Sequence, residues 1–184
     1  MGILAEPAQF VRDLNLPRGF SVCELGDQWV THTSPHFLAK KFFEELGCGR
    51  YISVDANGNG DVMADLNRKV PHLIAMGPFD VLTDFGTGEH IFNQAQVWKT
   101  VHDLTRTGGH IVFDRPSQGY EVHCFYLTNE TLFRDLAAAN GYKVLRLEHA
   151  VTKRGQLIRG VFQKVHEAKF EMPQQGRYKK ALRI

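Results

Sequence analysis

Short apolar segments alternate along this chain with longer amphipathic segments, and this alternation restricts the fold more than any other feature. Apolar runs predict strands over residues 20–25, 51–54, 79–83, 110–113, 142–147 and 157–162. Helical spacing predicts helices over residues 7–14, 34–46, 93–104 and 128–140. Because parallel neighbours need crossover connections, usually helices, the pattern predicts an α/β fold: a mostly parallel sheet of about seven strands with helices on both faces. A short loop joins the last two strands, which predicts an antiparallel strand at the edge.

Terminal signals accompany two of the predicted helices. Ser34 is a suitable N-cap for the helix over residues 34–46, Pro35 fits its first position and Gly47 follows its last turn. Gly141 is a suitable C-cap for the helix over residues 128–140. We therefore expect both helices to extend over these full ranges.

The length of 184 residues fits one domain. We expect a single domain over residues 1–165 and a basic tail over residues 166–184. The basic residues of the tail are Lys169, Arg177, Lys179, Lys180 and Arg183. The net charge of +2 is too small to indicate a nucleic-acid partner by itself, so that partner stays an alternative that we do not favour.

The apolar runs and the cysteines of the sequence indicate the cellular compartment that we expect. No apolar run approaches the roughly 18 to 20 residues of a spanning helix, and residues 1–10 lack the pattern of a secretory signal. Cys23, Cys48 and Cys124 form no CxxC pair and cannot all pair with one another, which favours free thiols. We expect a cytoplasmic protein without a membrane span.

Acidic residues and glycine follow the predicted strands at the edge where ligands bind in parallel sheets. Gly26 follows the first strand, Asp55 the second and Asp84 the third. A carboxylate at the end of the second strand can accept hydrogen bonds from two ribose hydroxyls, which points to a nucleoside-containing cofactor. Each residue, taken alone, fits a turn or helix cap equally well.

Two other nucleotide-binding patterns are missing. The sequence has no G-x-G-x-x-G, and Glu24 and Asp27 place negative charge beside the single Gly26, where a pyrophosphate would be repelled. It also has no G-x-x-x-x-G-K-[ST]. These absences argue against nicotinamide, flavin and ATP sites.

Five motifs, in order between residues 20 and 162, resemble those of the class I S-adenosylmethionine-dependent methyltransferases. The motifs are Val22-Cys23-Glu24-Leu25-Gly26, Asp55, Asp65-Leu66, the segment from Phe79 to Asp84, and Leu104 with Gly108-Gly109-His110-Ile111-Val112. The resemblance implies a Rossmann-like fold and S-adenosylmethionine as cofactor. It implies a cofactor site formed by Glu24, Gly26, Asp27, Gln28, Asp55, Ala56, Asp65, Leu66, Asp84 and Phe85.

Asp27-Gln28-Trp29 departs from the family pattern, because it stands where the family usually has further glycines. This loop is bulkier, and its backbone lacks the freedom of glycine. Gln28 is a candidate to replace a backbone contact with a side-chain contact. The departure keeps open a methyltransferase-like binding or partner protein without activity.

The acceptor side is predicted after the strand that ends at Asp84. Class I methyltransferases transfer the methyl group by direct displacement, so the protein holds the reactants in line and in some cases takes a proton. His90 is a candidate general base, with Glu89 or Asp84 to orient it, and His123 is a second candidate. His90 equally fits a helix cap or packing against Phe92.

Metal ligation is not predicted from the histidine spacing. Asp84, His90, Asp114 and His123 are residue types that bind metals, but none of these four forms an H-x-x-x-H pair with another, so we expect no metal. The preferred function is methyl transfer to a small molecule or sugar, with oligomeric state undetermined. A methyltransferase of nucleic acid or protein, favoured by the basic tail, is the enzyme alternative, and the inactive binding protein is the third.

Overall fold

The computed structural model describes residues 2–178. The helices are α1 (Ala5–Asp13), α2 (Ala39–Glu45), α3 (Pro71–Ile74), α4 (Gln94–Leu104) and α5 (Glu130–Asn140), and Gly88–His90 forms one turn of 3₁₀ helix. The strands are β1 (Ser21–Leu25), β2 (Trp29–Val30), β3 (Phe37–Leu38), β4 (Arg50–Asp55), β5 (Val62–Met63), β6 (Phe79–Phe85), β7 (Thr105–Gln118), β8 (Tyr142–Val151) and β9 (Gln156–Lys164).

Within the described residues, the main sheet has seven strands in the order β5-β4-β1-β6-β7-β9-β8. The strands from β5 to β7 in this order are parallel. β9 runs antiparallel to both β7 and β8, so the antiparallel pairing lies at one end of the sheet. The predicted Rossmann-like sheet, mostly parallel with an antiparallel strand toward one edge, is confirmed.

Helices cover both faces because successive residues of a strand point to opposite sides. In β7, Val112 belongs to the buried cluster that contains Phe10 of α1 and Phe42 of α2. Its neighbours Ile111 and Phe113 belong to the cluster on the other face, with the apolar residues of α4 and α5. The apolar strands are therefore buried from two sides, as expected for a parallel sheet.

The helix predicted over residues 34–46 is wrong at its start. α2 begins at Ala39, with Leu38 as an N-cap in extended conformation, so neither Ser34 nor Pro35 caps it. Residues 37 and 38 instead form β3, which pairs antiparallel with β2 in a small second sheet. The pairing with β2 satisfies backbone groups of residues 37 and 38. In the first turn of a helix, the N–H groups of these residues would be left to water.

Two other helices begin one or two residues later than predicted. Asn93 and Asn129 are the N-caps of α4 and α5, and each side chain accepts a hydrogen bond from a backbone N–H three residues on. Gly141 ends α5 in the left-handed conformation, with φ of 60°. The short elements β2, β3, β5 and α3 were not predicted, because two to four residues carry no readable period.

Part of the predicted tail contacts the domain. The Ala168 carbonyl lies 2.8 Å from Nε2 of His102, and Glu171 exchanges two backbone hydrogen bonds with the Asn140 side chain. Lys179, Lys180 and Arg183 lie outside the described residues. Between residues 2 and 178, no helix combines the length and apolar character needed to cross a membrane.

Candidate active site

A cavity of about 490 Å³ lies at the carboxyl ends of β1, β4 and β6. Its position is the one expected for a ligand in an open parallel sheet. Seven of the predicted cofactor residues line it, namely Gly26, Asp27, Gln28, Asp55, Ala56, Asp65 and Leu66, and so does the acceptor candidate His90. Asn57, Asn67, Thr87 and Ile91 also line it, and they were not predicted because single loop residues carry no pattern.

Glu24 lies beneath the first loop of the site and is not among the lining residues. Its side chain is fully buried, and Oε2 accepts hydrogen bonds from the Gln28 backbone N–H (3.1 Å) and the Tyr51 hydroxyl (2.6 Å). Burial raises the pKa of Glu24 to about 8. The carboxyl group therefore shapes the loop from below.

The loop after β1 is closed over its glycine by two side chains. Gly26 has φ of +82°, and a Cβ built on it would overlap Gln28 Nε2 and Thr87 Oγ1, so glycine is required. Gln28 Nε2 donates to Thr87 Oγ1 (2.9 Å), and that hydroxyl donates to the Leu25 carbonyl (2.7 Å). The bulky Gln28 thus ties the end of β1 to the segment after β6.

Asp55 ends β4 and stands on the cavity wall. Its Oδ1 accepts a hydrogen bond from the Asn57 backbone N–H at 2.6 Å, which fixes the turn that follows. The side chain is partly exposed toward the cavity, and the remaining lone pairs of the carboxylate are free for ligand hydroxyls.

Asp65 and Leu66 form another part of the wall. Asp65 Oδ1 accepts from both the backbone N–H and the side-chain amide of Asn67, each at 2.9 Å, and these bonds hold the pKa of Asp65 below its usual value. Leu66 is buried and gives the cavity an apolar surface beside the carboxylate.

Asp84 is fully buried and does not contact the cavity. Its Oδ2 pairs with Arg115 Nε at 2.8 Å, and its Oδ1 accepts from the backbone N–H groups of Thr87 (3.2 Å) and Gly88 (2.9 Å). A Cβ on Gly88 would overlap the Arg115 guanidinium. Asp84 therefore fixes the backbone of the turn that carries His90, and it does not orient the His90 imidazole directly. Arg115 was missed, because one arginine in an apolar strand gives no sign of its partner.

Glu89, His90 and His123 come together at the edge of the cavity. The rings of His90 and His123 are 4.9 Å apart in an edge-to-face arrangement, and Glu89 Oε1 lies 3.9 Å from His90 Nε2. Burial, and secondarily Asp84, raises the pKa of Glu89 to about 7. Burial and the neighbouring His123 lower the pKa of His90. One ligating atom from each of the three residues lies within 4.8 Å of the others, so they form a donor set that a metal ion could use.

Phe85, predicted beside the cofactor, lines a second cavity of about 430 Å³. Asp114 and Tyr120 line the same cavity. The Tyr120 ring is 5.9 Å from His123, so His123 contacts a wall residue of the second cavity and, through His90, the first. Burial raises the pKa of Asp114 to about 7 although it pairs with Arg159.

The sheet order, with a cavity at the carboxyl ends of the strands, is the fold of solved S-adenosylmethionine-dependent methyltransferases. No protein-family model matches the chain, and no curated protein matches it.

Solved structures of methyltransferases share this fold over most of the chain. The 1,6-didemethyltoxoflavin-N1-methyltransferase of Burkholderia thailandensis, with its bound substrate and S-adenosylhomocysteine, is 16% identical over 87% of this chain and 77% of its own, with a TM-score of 0.61. The N-methyltransferase NodS of Bradyrhizobium japonicum with S-adenosylhomocysteine is 14% identical over 86% and 85%, with a TM-score of 0.60. An S-adenosylmethionine-dependent methyltransferase of Mesorhizobium loti is 13% identical over 84% and 96%, also with a TM-score of 0.60. At these identities the similarity concerns the fold.

Proposed function

We propose that this protein transfers a methyl group from S-adenosylmethionine to a small-molecule or sugar acceptor. One observation carries the proposal: Gly26, Asp55 and Asp65 line a single cavity. They occur in the same chain order as the cofactor motifs of the class I methyltransferases. A cavity of about 490 Å³ is within the range of small-molecule and cofactor sites.

In this proposal each cofactor residue has a role set by its chemistry. Asp55 accepts hydrogen bonds from the two ribose hydroxyls, because a carboxylate has acceptor sites on both oxygens. Asp65 accepts from the adenine amine, and Leu66 packs against the base. The loop at Gly26, with Asp27 and Gln28, holds the methionine part, and Ala56 lines the ribose side.

The acceptor approaches from the side of His90 and His123. Its nucleophilic atom attacks the methyl carbon in line with the carbon–sulfur bond, and the electron pair of that bond stays on sulfur. We propose that His90 and His123 act as the general base that accepts the proton that the acceptor loses. Asp84 and Phe85 act indirectly. Asp84 fixes the turn that carries His90, and Phe85 forms part of the wall of the second cavity.

A small molecule is the favoured acceptor class for two reasons. Both cavities are small, at about 490 and 430 Å³, and one neighbour in the fold was crystallised with a small-molecule substrate. The free thiols of Cys23, Cys48 and Cys124 favour the reducing cytoplasm as the compartment.

Calorimetric titration of the full chain with S-adenosylhomocysteine tests the cofactor assignment. We expect one site per chain, and the same protein should then consume S-adenosylmethionine in a screen of small hydroxyl, amine and sugar compounds. Absence of S-adenosylhomocysteine binding would contradict the proposal.

The second candidate, an inactive binding or partner protein, is favoured by the Gln28 side chain. Its amide occupies the space that a Cβ on Gly26 would need, and Gln28 stands at a sequence position where the family usually has glycine. A Gln28→Ala variant distinguishes the candidates. Binding of S-adenosylhomocysteine by this variant and not by the natural chain would support the inactive protein, and binding by both would support the enzyme.

A further inference from the structure

We propose that Glu89, His90 and His123 form a binding site for one divalent transition-metal ion of the zinc and cobalt type. Glu89 and His90 belong to the 3₁₀ turn after β6, and His123 belongs to the loop between β7 and α5. Their ligating atoms lie within 4.8 Å of one another, although 32 residues lie between His90 and His123 in the sequence. This proposal departs from the expectation, drawn from residue spacing, that the protein holds no metal.

The environment of Glu89 is the independent observation that points to a cation. Its side chain is fully buried, and neither carboxylate oxygen has a hydrogen-bond partner within residues 2–178. Burying a carboxylate without a partner costs several kcal/mol, so such groups are normally paired or bound to a metal. Arg115 does not bind Glu89 either: its Nε binds Asp84, its Nη1 binds Gln94, and its Nη2 has no hydrogen-bond partner within residues 2–178.

The donor set selects the class of ion. Two imidazole nitrogens and one carboxylate oxygen suit zinc and its first-row neighbours, whereas magnesium and calcium prefer oxygen ligands alone. Three protein ligands leave one position open, as in catalytic zinc sites. The site is therefore suited to hold an exchangeable oxygen or nitrogen ligand.

The distances are close to those of a bound site. Tetrahedral zinc with metal–ligand distances of about 2.0–2.2 Å holds its ligand atoms roughly 3.3–3.6 Å apart. Glu89 Oε1 and His90 Nε2 are already 3.9 Å apart. The side chain of His123 is exposed, so a rotation can bring its ring nitrogen the remaining distance of about 1 Å without repacking the core.

The turn that carries two of the ligands is held rigidly from behind. Asp84 accepts from the Gly88 backbone N–H at 2.9 Å, and the Gln94 amide donates to the Gly88 carbonyl at 2.6 Å. Such outer contacts orient metal ligands and raise affinity.

The location gives the ion a use in the proposed methyl transfer, and only this step rests on that function. His90 lines the cofactor cavity, so an ion bound by His90 would lie at the edge of this cavity, on the side proposed for the acceptor. In the metal-bound form His90 and His123 act as ligands and do not take the proton; an acceptor hydroxyl bound to the ion would lose it to solvent water more easily. Its oxygen then forms a bond to the methyl carbon while the carbon–sulfur bond breaks and leaves neutral S-adenosylhomocysteine.

The test uses tag-free full chain that has been treated with chelator and dialysed into metal-free buffer. Cobalt(II) alone is titrated and followed by its visible ligand-field absorption, and zinc(II) alone is titrated by calorimetry. We expect one equivalent of each ion to bind. Glu89→Gln and His123→Ala should each weaken binding roughly 100-fold or more, since loss of even an outer contact costs about 10- to 100-fold.

His149→Ala is the matched control, because His149 lies 3.3 Å from Glu130 in a histidine–glutamate pair outside the cluster. Its metal binding should equal that of the natural chain. Cys124→Ser should also be unchanged, and a loss of binding there would overturn the proposed ligand set. Thermal unfolding of every variant confirms that Glu89→Gln, which keeps the side-chain shape, is folded.

Absence of stoichiometric binding, or binding that survives both ligand substitutions, would overturn the site. Titration with S-adenosylhomocysteine on the same samples separates this result from the proposed function. Metal binding without S-adenosylhomocysteine binding would support the metal site and contradict methyl transfer. S-adenosylhomocysteine binding without metal binding would support methyl transfer and contradict the metal site.

Discussion

Replacement of Asp55 by alanine should weaken S-adenosylhomocysteine binding strongly and leave the fold intact. Asp55 is the carboxylate at the end of β4, and it faces the cavity without contributing to the core. Its Oδ1 already accepts from the Asn57 N–H, which orients the carboxylate before any ligand arrives. The alanine variant removes both the charge and this orientation.

The magnitude follows from the hydrogen bonds at stake. Two ribose hydroxyls donating to a carboxylate contribute about 1.5–3 kcal/mol each. Asp55 is partly exposed, so water competes and the lower value applies; two such bonds give about 3 kcal/mol, or roughly 150-fold in Kd. Asp55→Asn keeps an acceptor for the Asn57 N–H and loses the charge, so its effect should be intermediate.

Calorimetric titration of the three proteins measures this series, and thermal unfolding confirms that each is folded. Asp103→Ala is the control, because Asp103 pairs with Lys99 on the surface of α4 and does not line the cavity. A Kd for Asp55→Ala within twofold of the natural value, matching the control, would refute the ribose assignment.

Three further predictions concern the turn, the first loop and the acceptor side. Gly88→Ala should lower the free energy of unfolding by about 3–5 kcal/mol in chemical denaturation, because its Cβ would displace the Arg115 guanidinium from a buried ion pair. Glu24 has a folded pKa of about 8 against an ordinary value of 4.5, so this group should cost the natural chain stability as pH rises from about 5 to 8, by at most about 1.4 kcal/mol per pH unit. Glu24→Gln should lose less stability over this range, because only the other buried carboxyl groups, Glu89 and Asp114, still titrate there; parallel curves would disprove the burial argument. His90→Ala should lower turnover roughly 100-fold or more while S-adenosylhomocysteine still binds, and unchanged turnover would exclude His90 from the reaction.

The sheet was predictable because its strands and helices are long enough to show a period. The helices over residues 93–104 and 128–140 carry several turns of apolar spacing, and both occur close to the predicted ends. The helix over residues 34–46 was too long in the prediction because Phe37 and Leu38 have the same spacing whether they lie on a helix or pair with β2. Backbone pairing between two-residue strands depends on contacts that spacing does not contain.

The candidate site was predictable where the fold fixes the position. The position of Asp55 at the carboxyl ends of the strands was predictable, because Asp55 ends a parallel strand next to β1. Glu89, His90 and His123 could not be joined in advance, since the turn after β6 and the loop after β7 meet only in three dimensions. The partner of Asp84 was hidden for the same reason, as Arg115 lies on a neighbouring strand.

The contact between Gly88 and the Asp84–Arg115 pair also limits how this protein can change in evolution. Asp84 and Arg115 are tolerable only together, because replacing one leaves the other as a buried charge without its partner, and Arg115 requires glycine at position 88, because a Cβ there would overlap the guanidinium. Their mutational effects should therefore be strongly non-additive, with a double replacement of the charged pair milder than the sum of the single ones. Sequences that diverge from this one should keep or exchange these positions as a group, so the turn beside the cavity should evolve as one unit.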